Sequence, residues 1–311
     1  MFAGQLEKTN AFTVSIILLT YDGMPEVEKS LAMVFRQDYR SPVEVVHVDS
    51  GSNDGTLAVT AAHCIKTHHI SQTEFHHSRT RNFAAIQAKN EILVFLSQDA
   101  IPSNNQWLRN LVAPFTDSTV GGVYGRQVPP EKIGPLRKYA MQYIYPSTRE
   151  IRELANDRRH SLGLFRFSNA NAAVRADLCR KFKFNERALV CEDHGMCRDI
   201  LEAGFKIVYE PNAVVIHGHQ RTFWGEFEWA FYNGCSLKRM GILGNRGTRS
   251  EMEYGIARLR AEWKYFNSKG MYWTAFQGFI ISVLRWSGVQ IGKREGKIPY
   301  CILKRLFTKF K

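Results

Sequence analysis

Three apolar runs, each stopping at a polar tip, limit most strongly how this chain can fold. VSIILLT (14–20) ends at Tyr21-Asp22-Gly23, VEVVHV (43–48) at Asp49-Ser50, and EILVFL (91–96) at Ser97-Gln98-Asp99. Short, almost unbroken apolar runs suit strands buried on both faces. Between them the pattern turns helical. Val27, Leu31, Val34 and Phe35 follow Pro25 at helical spacing, and residues 56–65 and 83–89 read the same way. A helix over 104–115 and a strand over 121–128 continue the alternation. Strands alternating with helices predict a Rossmann-like, doubly wound and mostly parallel sheet flanked by helices. In such sheets the ligand lies beyond the carboxyl ends of the strands, which is where the polar tips fall.

The tips narrow the ligand. No GxGxxG follows the first strand and the chain has no GxxxxGK[ST] loop, so phosphate is not cradled by a glycine-rich turn. Acidic tips suggest instead a nucleotide held through a cation, with carboxylates on the metal and the metal on the phosphates.

Beyond the first sheet segment, Arg149–Arg159 reads as a charged helix, and 165–178, 191–205 and 206–219 form a second block. After His219 the chain becomes aromatic and basic, with Trp224, Trp229, Trp263, Trp273 and Trp286, which sets a boundary near 220 between a domain over 1–220 and a helical region over 221–311. The net charge is +13, and from Arg285 onward eight basic residues face one acid, Glu295. Apolar residues interleave with that charge. The segment therefore reads either as a helix lying on an anionic membrane or as a helix packed on the domain with a solvated face. Nucleic acid is the poorer partner, because no binding module accompanies the charge. The six cysteines show neither CxxC pairing nor zinc-ligand spacing, as expected of free thiols in a reducing cytoplasm. Val14–Leu19 is too short for a signal-peptide core, and Met271–Leu284 is too short to span a bilayer. The expected location is the cytoplasm, at most peripheral on the inner membrane.

VSIILLTYDG, VVHVDSGSNDGT, the RN pair of TRNFAA, FLSQDAIP, VYGRQ, SNANAAVR, EDHG and YEPNAVVIHGH occur in this order between about residues 12 and 220. The succession resembles family 2 glycosyltransferases of GT-A fold. It is similar in particular to bacterial rhamnosyltransferases, which use dTDP-rhamnose to build O-antigen and other surface polysaccharides. SVLRWSGVQIGKREGKIP (282–299) resembles the tail of those enzymes with lower specificity. The resemblance implies a nucleotide-sugar part over about 12–130 and an acceptor part over about 131–220. Thr20, Tyr21 and Asp22 would line the base and ribose pocket, and Asp49, Ser50 and Ser52 would bind base or ribose. A turn rich in Asp, Ser and Gly for backbone reasons is the other reading of that loop. Arg81 and Asn82 match a pair near the nucleotide, where the arginine would neutralise diphosphate, brace the acidic loop, or simply sit on the surface. His76 and His77, adjacent in sequence, point apart and do not form a chelating pair.

The family's metal motif is Asp-x-Asp. Here it reads Ser97-Gln98-Asp99, so Asp99 keeps the last carboxylate and the first is missing. Gln98 would lie beside the nucleotide sugar. His217 or His219, on one face of the strand end, would complete a site for Mg²⁺ or Mn²⁺. Asp193 is the expected general base of an inverting transfer, with Glu192 orienting the acceptor or supporting the loop; both acids also favour a helix N-terminus. Asn169 and Asn171 would face the sugar, since an amide both donates and accepts. Tyr124 and Arg126, and less so Gln127, would line the donor or acceptor pocket. The resulting expectation is rhamnose transfer from dTDP-rhamnose to a glycan or lipid-linked glycan acceptor. A UDP- or GDP-sugar donor and a non-catalytic nucleotide- or glycan-binding protein are the alternatives.

Overall fold

The structure, a computed structural model, describes residues 12–154, 163–243 and 248–310. The first half alternates as β1 (Val14–Thr20), α1 (Glu26–Val34), β2 (Val43–Asp49), α2 (Thr56–Ala62), β3 (Thr67–His69), α3 (His77–Gln87) and β4 (Ile92–Ser97). Then come β5 (Ile101–Pro102), α4 (Trp107–Val112), β6 (Val120–Val128), α5 (Pro135–Ile144), β7 (Glu150–Arg152), β8 (Asn171–Arg175), α6 (Ala176–Phe182), α7 (Glu192–Glu202) and β9 (Lys206–Ile216). Four longer or terminal helices follow: α8 (Phe223–Arg239), α9 (Thr248–Ser268), α10 (Tyr272–Gly292) and α11 (Tyr300–Leu306).

The strands order as β3-β2-β1-β4-β8-β6-β9-β5, with β7 also paired to β9. β1 runs parallel to β2 and β4, in a register that sets Thr20 against Asp49 and Leu19 against Ser97. The three polar tips therefore sit side by side at one edge. β8 runs antiparallel between β4 and β6, so the sheet is mostly parallel but not wholly so.

Both faces are covered, which is why the strands read as unbroken apolar runs. Ile17, Leu93 and Phe95 pack with α3, α6 and α7, while Ile16, Ile92, Val94 and Leu96 pack with Trp107, Leu108 and Leu111 of α4. Leu237 and Met240, from the end of α8, belong to the first of these clusters. α8 and α10 cross so closely that a Cβ on Gly288 would lie 2.5 Å from the Phe227 carbonyl oxygen. This contact excludes any larger residue.

Three expectations change here. Arg149–Arg159 does not begin as a helix: Glu150–Arg152 is a strand, antiparallel to Ile207–Tyr209 of β9, and residues 155–162 lie outside the described residues. Tyr124 faces the core, not a pocket, 5.7 Å from the Phe167 ring and 5.0 Å from the Tyr209 ring, with the Arg152 guanidinium over its face. Asn171 is fully buried and its amide is spent inside the protein. Its Oδ1 accepts from Trp107 Nε1 at 2.9 Å, and its Nδ2 donates to the Arg126 and Ala213 carbonyls at 3.2 and 2.8 Å. It cross-links α4, β6 and β9, and its burial keeps it from a sugar.

Asn171→Ala strands an indole N–H and two carbonyls in the interior. The expected loss is on the order of 3 kcal/mol, read as a lower urea midpoint at unchanged slope, with nucleotide affinity retained in the folded protein.

Candidate active site

A cleft of about 280 Å³ opens at the carboxyl ends of β1 and β4. Its lining includes Thr20, Tyr21, Ser97, Gln98, Asn169 and, from the start of α3, His77 and Arg81. Gln98 shapes its mouth. The Tyr21 amide donates to Gln98 Oε1 at 2.9 Å and Gln98 Nε2 donates to the Tyr21 carbonyl at 3.1 Å. The middle residue of the Ser97-Gln98-Asp99 triplet thus fastens the loop after β1 to the end of β4.

The acidic loop after β2 is largely turned on itself. Asp49 is fully buried, and its carboxylate accepts from Thr20 Oγ1 at 2.7 Å, from the Gly51 and Ser52 amides, and from Ser52 Oγ at 2.5 Å. Thr20 Oγ1 also meets His47 Nε2 at 2.7 Å, and His47 Nδ1 meets Thr67 Oγ1 at 2.8 Å. Burial pushes the His47 pKa down to about 4, so the imidazole is neutral and relays between the two hydroxyls. Ser50 is spent on the Thr20 carbonyl, through both its amide and its Oγ at 3.0 Å. The Asp22 carboxylate accepts the Asn53 amide at 2.8 Å. In this arrangement Asp49 and Ser50 hold the wall in shape, and Tyr21, which lines the cleft, is open to solvent.

Arg81 and Asn169, also in the lining, lead to the α7 N-terminus. Arg81 Nη1 donates to Glu192 Oε1 at 2.6 Å, and Asn169 Nδ2 donates to the same oxygen at 3.1 Å. Arg81 thus ties α3 to the start of α7 rather than bracing the loop after β2, and buried Glu192 is a strut. Asn82 serves α3 itself, with a two-way amide pairing to the Phe184 backbone at 2.7 and 2.9 Å. Asp193 accepts from the Asn169 amide at 3.1 Å through Oδ2, while Oδ1 takes the His194 amide and lies 2.9 Å from His194 Nδ1. Burial opposes charge on Asp193, but the His194 hydrogen bond, His194 itself and the Asn169 amide together hold its pKa below the usual carboxylate range. Asn169 Oδ1 is buried without a partner among the described residues.

The third group is Asp99. β5 follows it directly and pairs with the end of β9, Ile101 against Ile216. That pairing brings His217 Nε2 to 3.5 Å and His219 Nε2 to 3.0 Å from the Asp99 carboxylate. One ligand atom from each of the three lies within 4.8 Å of the others. Gln127, on β6, orients the first imidazole: its Oε1 meets His217 Nδ1 at 2.8 Å, and its Nε2 donates to Ser168 Oγ at 2.8 Å. An amide oxygen only accepts, so His217 carries its proton on Nδ1 and turns the Nε2 lone pair toward Asp99. Burial pushes the His217 pKa down to about 4, which keeps the ring neutral. A lone pair and a carboxylate oxygen face each other, both acceptors, which is an arrangement a cation between them would satisfy. Two imidazoles and one carboxylate form a mixed nitrogen and oxygen donor set able to hold a divalent cation, and a hydrogen-bonded second nitrogen is usual for a ligating histidine.

The structure brings together Asp99, His217 and His219, as the sequence suggested, and also joins Glu192, Asp193, Asn169 and Arg81, which the sequence had assigned to separate roles. Sequence reasoning ranked Gln127 last, although strand alternation separates it from Arg126 and turns it to the histidine. Arg126 does not line the cleft, and its Nε is buried without a partner among the described residues. His77, Ser97 and His194 were missed. The EDH triplet was the available signal for His194, whereas nothing local marks His77 as a cleft residue.

The description "Glycosyl transferase family 2" matches residues 15–182. An O-antigen chain rhamnosyltransferase of Salmonella typhimurium is 26% identical over 305 residues, covering 96% of this chain and 95% of the relative. A second, from Salmonella anatum, is 26% identical over 303 residues, covering 96% and 94%. Among solved structures, a mannosyltransferase of Pyrobaculum calidifontis in complex with GDP-mannose and Mn²⁺ superposes with a TM-score of 0.57 at 20% identity, covering 97% of this chain and 86% of that one. TarS of S. aureus in complex with UDP-GlcNAc gives 0.55 at 16% identity, covering 91% and 92%. These likenesses carry the fold, and the match over more than half the chain carries the family. The chain belongs to glycosyl transferase family 2 and is a glycosyltransferase of GT-A fold.

Proposed function

We propose that the protein is an inverting rhamnosyltransferase that moves rhamnose from dTDP-rhamnose to a lipid-linked or oligosaccharide acceptor in bacterial surface polysaccharide synthesis. The two O-antigen rhamnosyltransferases, alike over nearly the whole chain, support the sugar and the pathway class. One observation carries the chemistry: the Asp193 carboxylate is held by the backbone amide of cleft-lining Asn169, and Asp99, next to cleft-lining Gln98, makes an acceptor-on-acceptor contact with His217. In this reading the nucleoside enters the cleft against Tyr21, and Asn169 Oδ1 accepts a hydroxyl of the sugar. Asp193 takes the acceptor proton as the acceptor oxygen attacks the anomeric carbon, and the nucleoside diphosphate leaves on the opposite side. Asp99, His217 and His219 would hold Mg²⁺ or Mn²⁺, whose chemistry is to neutralise charge on the departing diphosphate. Domain limits at about 130 and 220 belong to the same proposal.

The outer face of α10 suggests where the protein works. Tyr272, Trp273, Phe276, Phe279, Val283 and Trp286 are all exposed on it, three or four residues apart along the helix apart from Trp273. Exposed Lys264, Lys269, Arg294 and Lys297 lie along the neighbouring segments. Among the described residues no helix is long and apolar enough to cross a membrane. We read this face as lying on the anionic surface of the inner membrane, with the rest of the protein in the cytoplasm.

Asp193→Asn is expected to lower transfer at least ~10³-fold, near the upper part of the range for a general base, while dTDP-rhamnose still raises the melting temperature. Transfer at the wild-type rate would remove Asp193 from the mechanism. His217→Ala should abolish the extra thermal stabilisation that Mn²⁺ adds in the presence of dTDP; an unchanged Mn²⁺ response would place the metal elsewhere. The same assay across dTDP-, UDP- and GDP-sugars tests the donor, and donor binding without turnover on any acceptor would favour a binding protein. Trp273→Ser/Phe276→Ser/Phe279→Ser should shift the protein from membrane to soluble fractions with its melting temperature unchanged. Retention at the membrane would reject the α10 surface.

A further inference from the structure

A second cavity, about 40 Å³, lies where α5, the segment after His219, α8, α9 and α10 meet. It shares no lining residue with the cleft. Arg258, which has a partner of its own, lines it together with Arg137, Arg221 and Arg285, and these last three face two carboxylates, Glu226 and Glu262. Glu226 is committed, its Oε2 accepting from Arg285 Nε at 2.8 Å. Burial pushes the Glu262 pKa up, toward the neutral acid. Arg137 Nε is buried and without a partner among the described residues. Burial, together with Arg221 and Arg285 nearby, holds the Arg137 pKa below its ordinary range. Arg221 lies over the Trp229 ring, 4.9 Å from its centroid.

Guanidinium charge in such surplus is costly to bury unless an anion balances it. The planar N–H fork matches phosphate oxygens, and several forks converging on one cavity suit a tetrahedral anion. The position gives that anion a meaning. Arg221 is two residues beyond His219, at most ~7 Å along the backbone, so the cavity adjoins the histidine pair without belonging to the cleft. Gly278, Ile281, Ser282 and Arg285 of α10 line it, and the same helix carries the exposed aromatic stripe. A group bound here would lie within about one helix diameter, ~10 Å, of that stripe.

We propose that Arg137, Arg221 and Arg285 form an anion subsite for a phosphate or diphosphate group of the acceptor, held between the histidine pair and the aromatic face of α10. The acceptor assignment rests on the reading of the protein as a transferase with a lipid-linked acceptor; the phosphate chemistry does not.

The test uses the full chain in EDTA, titrated calorimetrically with inorganic pyrophosphate. Arg137→Gln should weaken pyrophosphate by about tenfold or more, as expected for losing a charge-assisted hydrogen bond, and leave dTDP binding with Mn²⁺ unchanged. Ser282→Asp carries a carboxylate into the cavity. It should abolish pyrophosphate binding and raise the melting temperature, because it supplies the missing negative charge from within. Vesicles of phosphatidylcholine with phosphatidylglycerol separate the two sources of phosphate. If Arg137→Gln also weakens their co-sedimentation, the subsite takes a lipid headgroup; if only pyrophosphate is affected, it takes the diphosphate of the acceptor. The proposal is overturned by absence of pyrophosphate binding in the wild type, by equal affinity in all three proteins, or by a parallel loss of dTDP binding, which would put the arginines in the donor site. Intact, Arg137-dependent pyrophosphate binding in a protein that transfers no sugar would count against the transferase reading alone.

Discussion

The site depends on two residue pairs of backbone, Ile101 with Ile216 and Pro102 with Val215. β4 and β9 are not neighbours, since β8 and β6 lie between them. At the usual strand spacing their ends would stand roughly 14 Å apart, far beyond the reach of a carboxylate to an imidazole. The chain leaving β4 crosses that gap in a few residues and adds β5 to the far edge of the sheet. Pro102, which lacks an N–H, is tolerated there because an edge strand need not donate on both sides. Asp99 is carried across with it to the histidines that follow β9, and without this crossover they would not meet.

The centres around the cleft are electrostatically distinct by construction. At Asp99, buried and neutral His217 presents a lone pair to a carboxylate, with Gln127 and Ser168 fixing which nitrogen holds the proton. At Asp193, amide and imidazole donors keep a buried carboxylate ionised. The first arrangement lacks positive charge between two acceptors, while the second is an anion with its donors already supplied. Arg81 and Glu192 join α3 to α7 so that the second centre keeps its place relative to the cleft. The two centres thus differ in what they can receive, positive charge at the first and a proton at the second.

The C-terminal helices are bound into the protein rather than appended to it. Leu237 and Met240 complete the core beside α7, and Phe307 stacks on Phe231 with ring centroids 3.9 Å apart. α10 is held against α8 through glycines and so presents a fixed outer face. An exposed aromatic stripe on an anchored helix keeps its orientation relative to the cleft, which a loose tail would not.

By itself the sequence determined the alternation of strands and helices, the alignment of polar tips at one sheet edge, and the candidacy of Asp99, Asp193 and the histidines of IHGH. Period-2 and period-3.6 patterns are local, and an almost continuous apolar run already implies a strand covered on both faces. It did not determine which polar side chains are spent internally. Asn171 and Asp49 carry the same groups as residues that meet a ligand, yet one is consumed by Trp107 and two carbonyls and the other by its own loop. Nor could it show that Glu150–Arg152 extends β9, that Gln127 rather than Tyr124 reaches the histidine, or that arginines from α5, α9, α10 and the segment after His219 converge. Those outcomes depend on hydrogen-bond partners and charges tens to more than a hundred residues apart, and only the packed chain decides who meets whom.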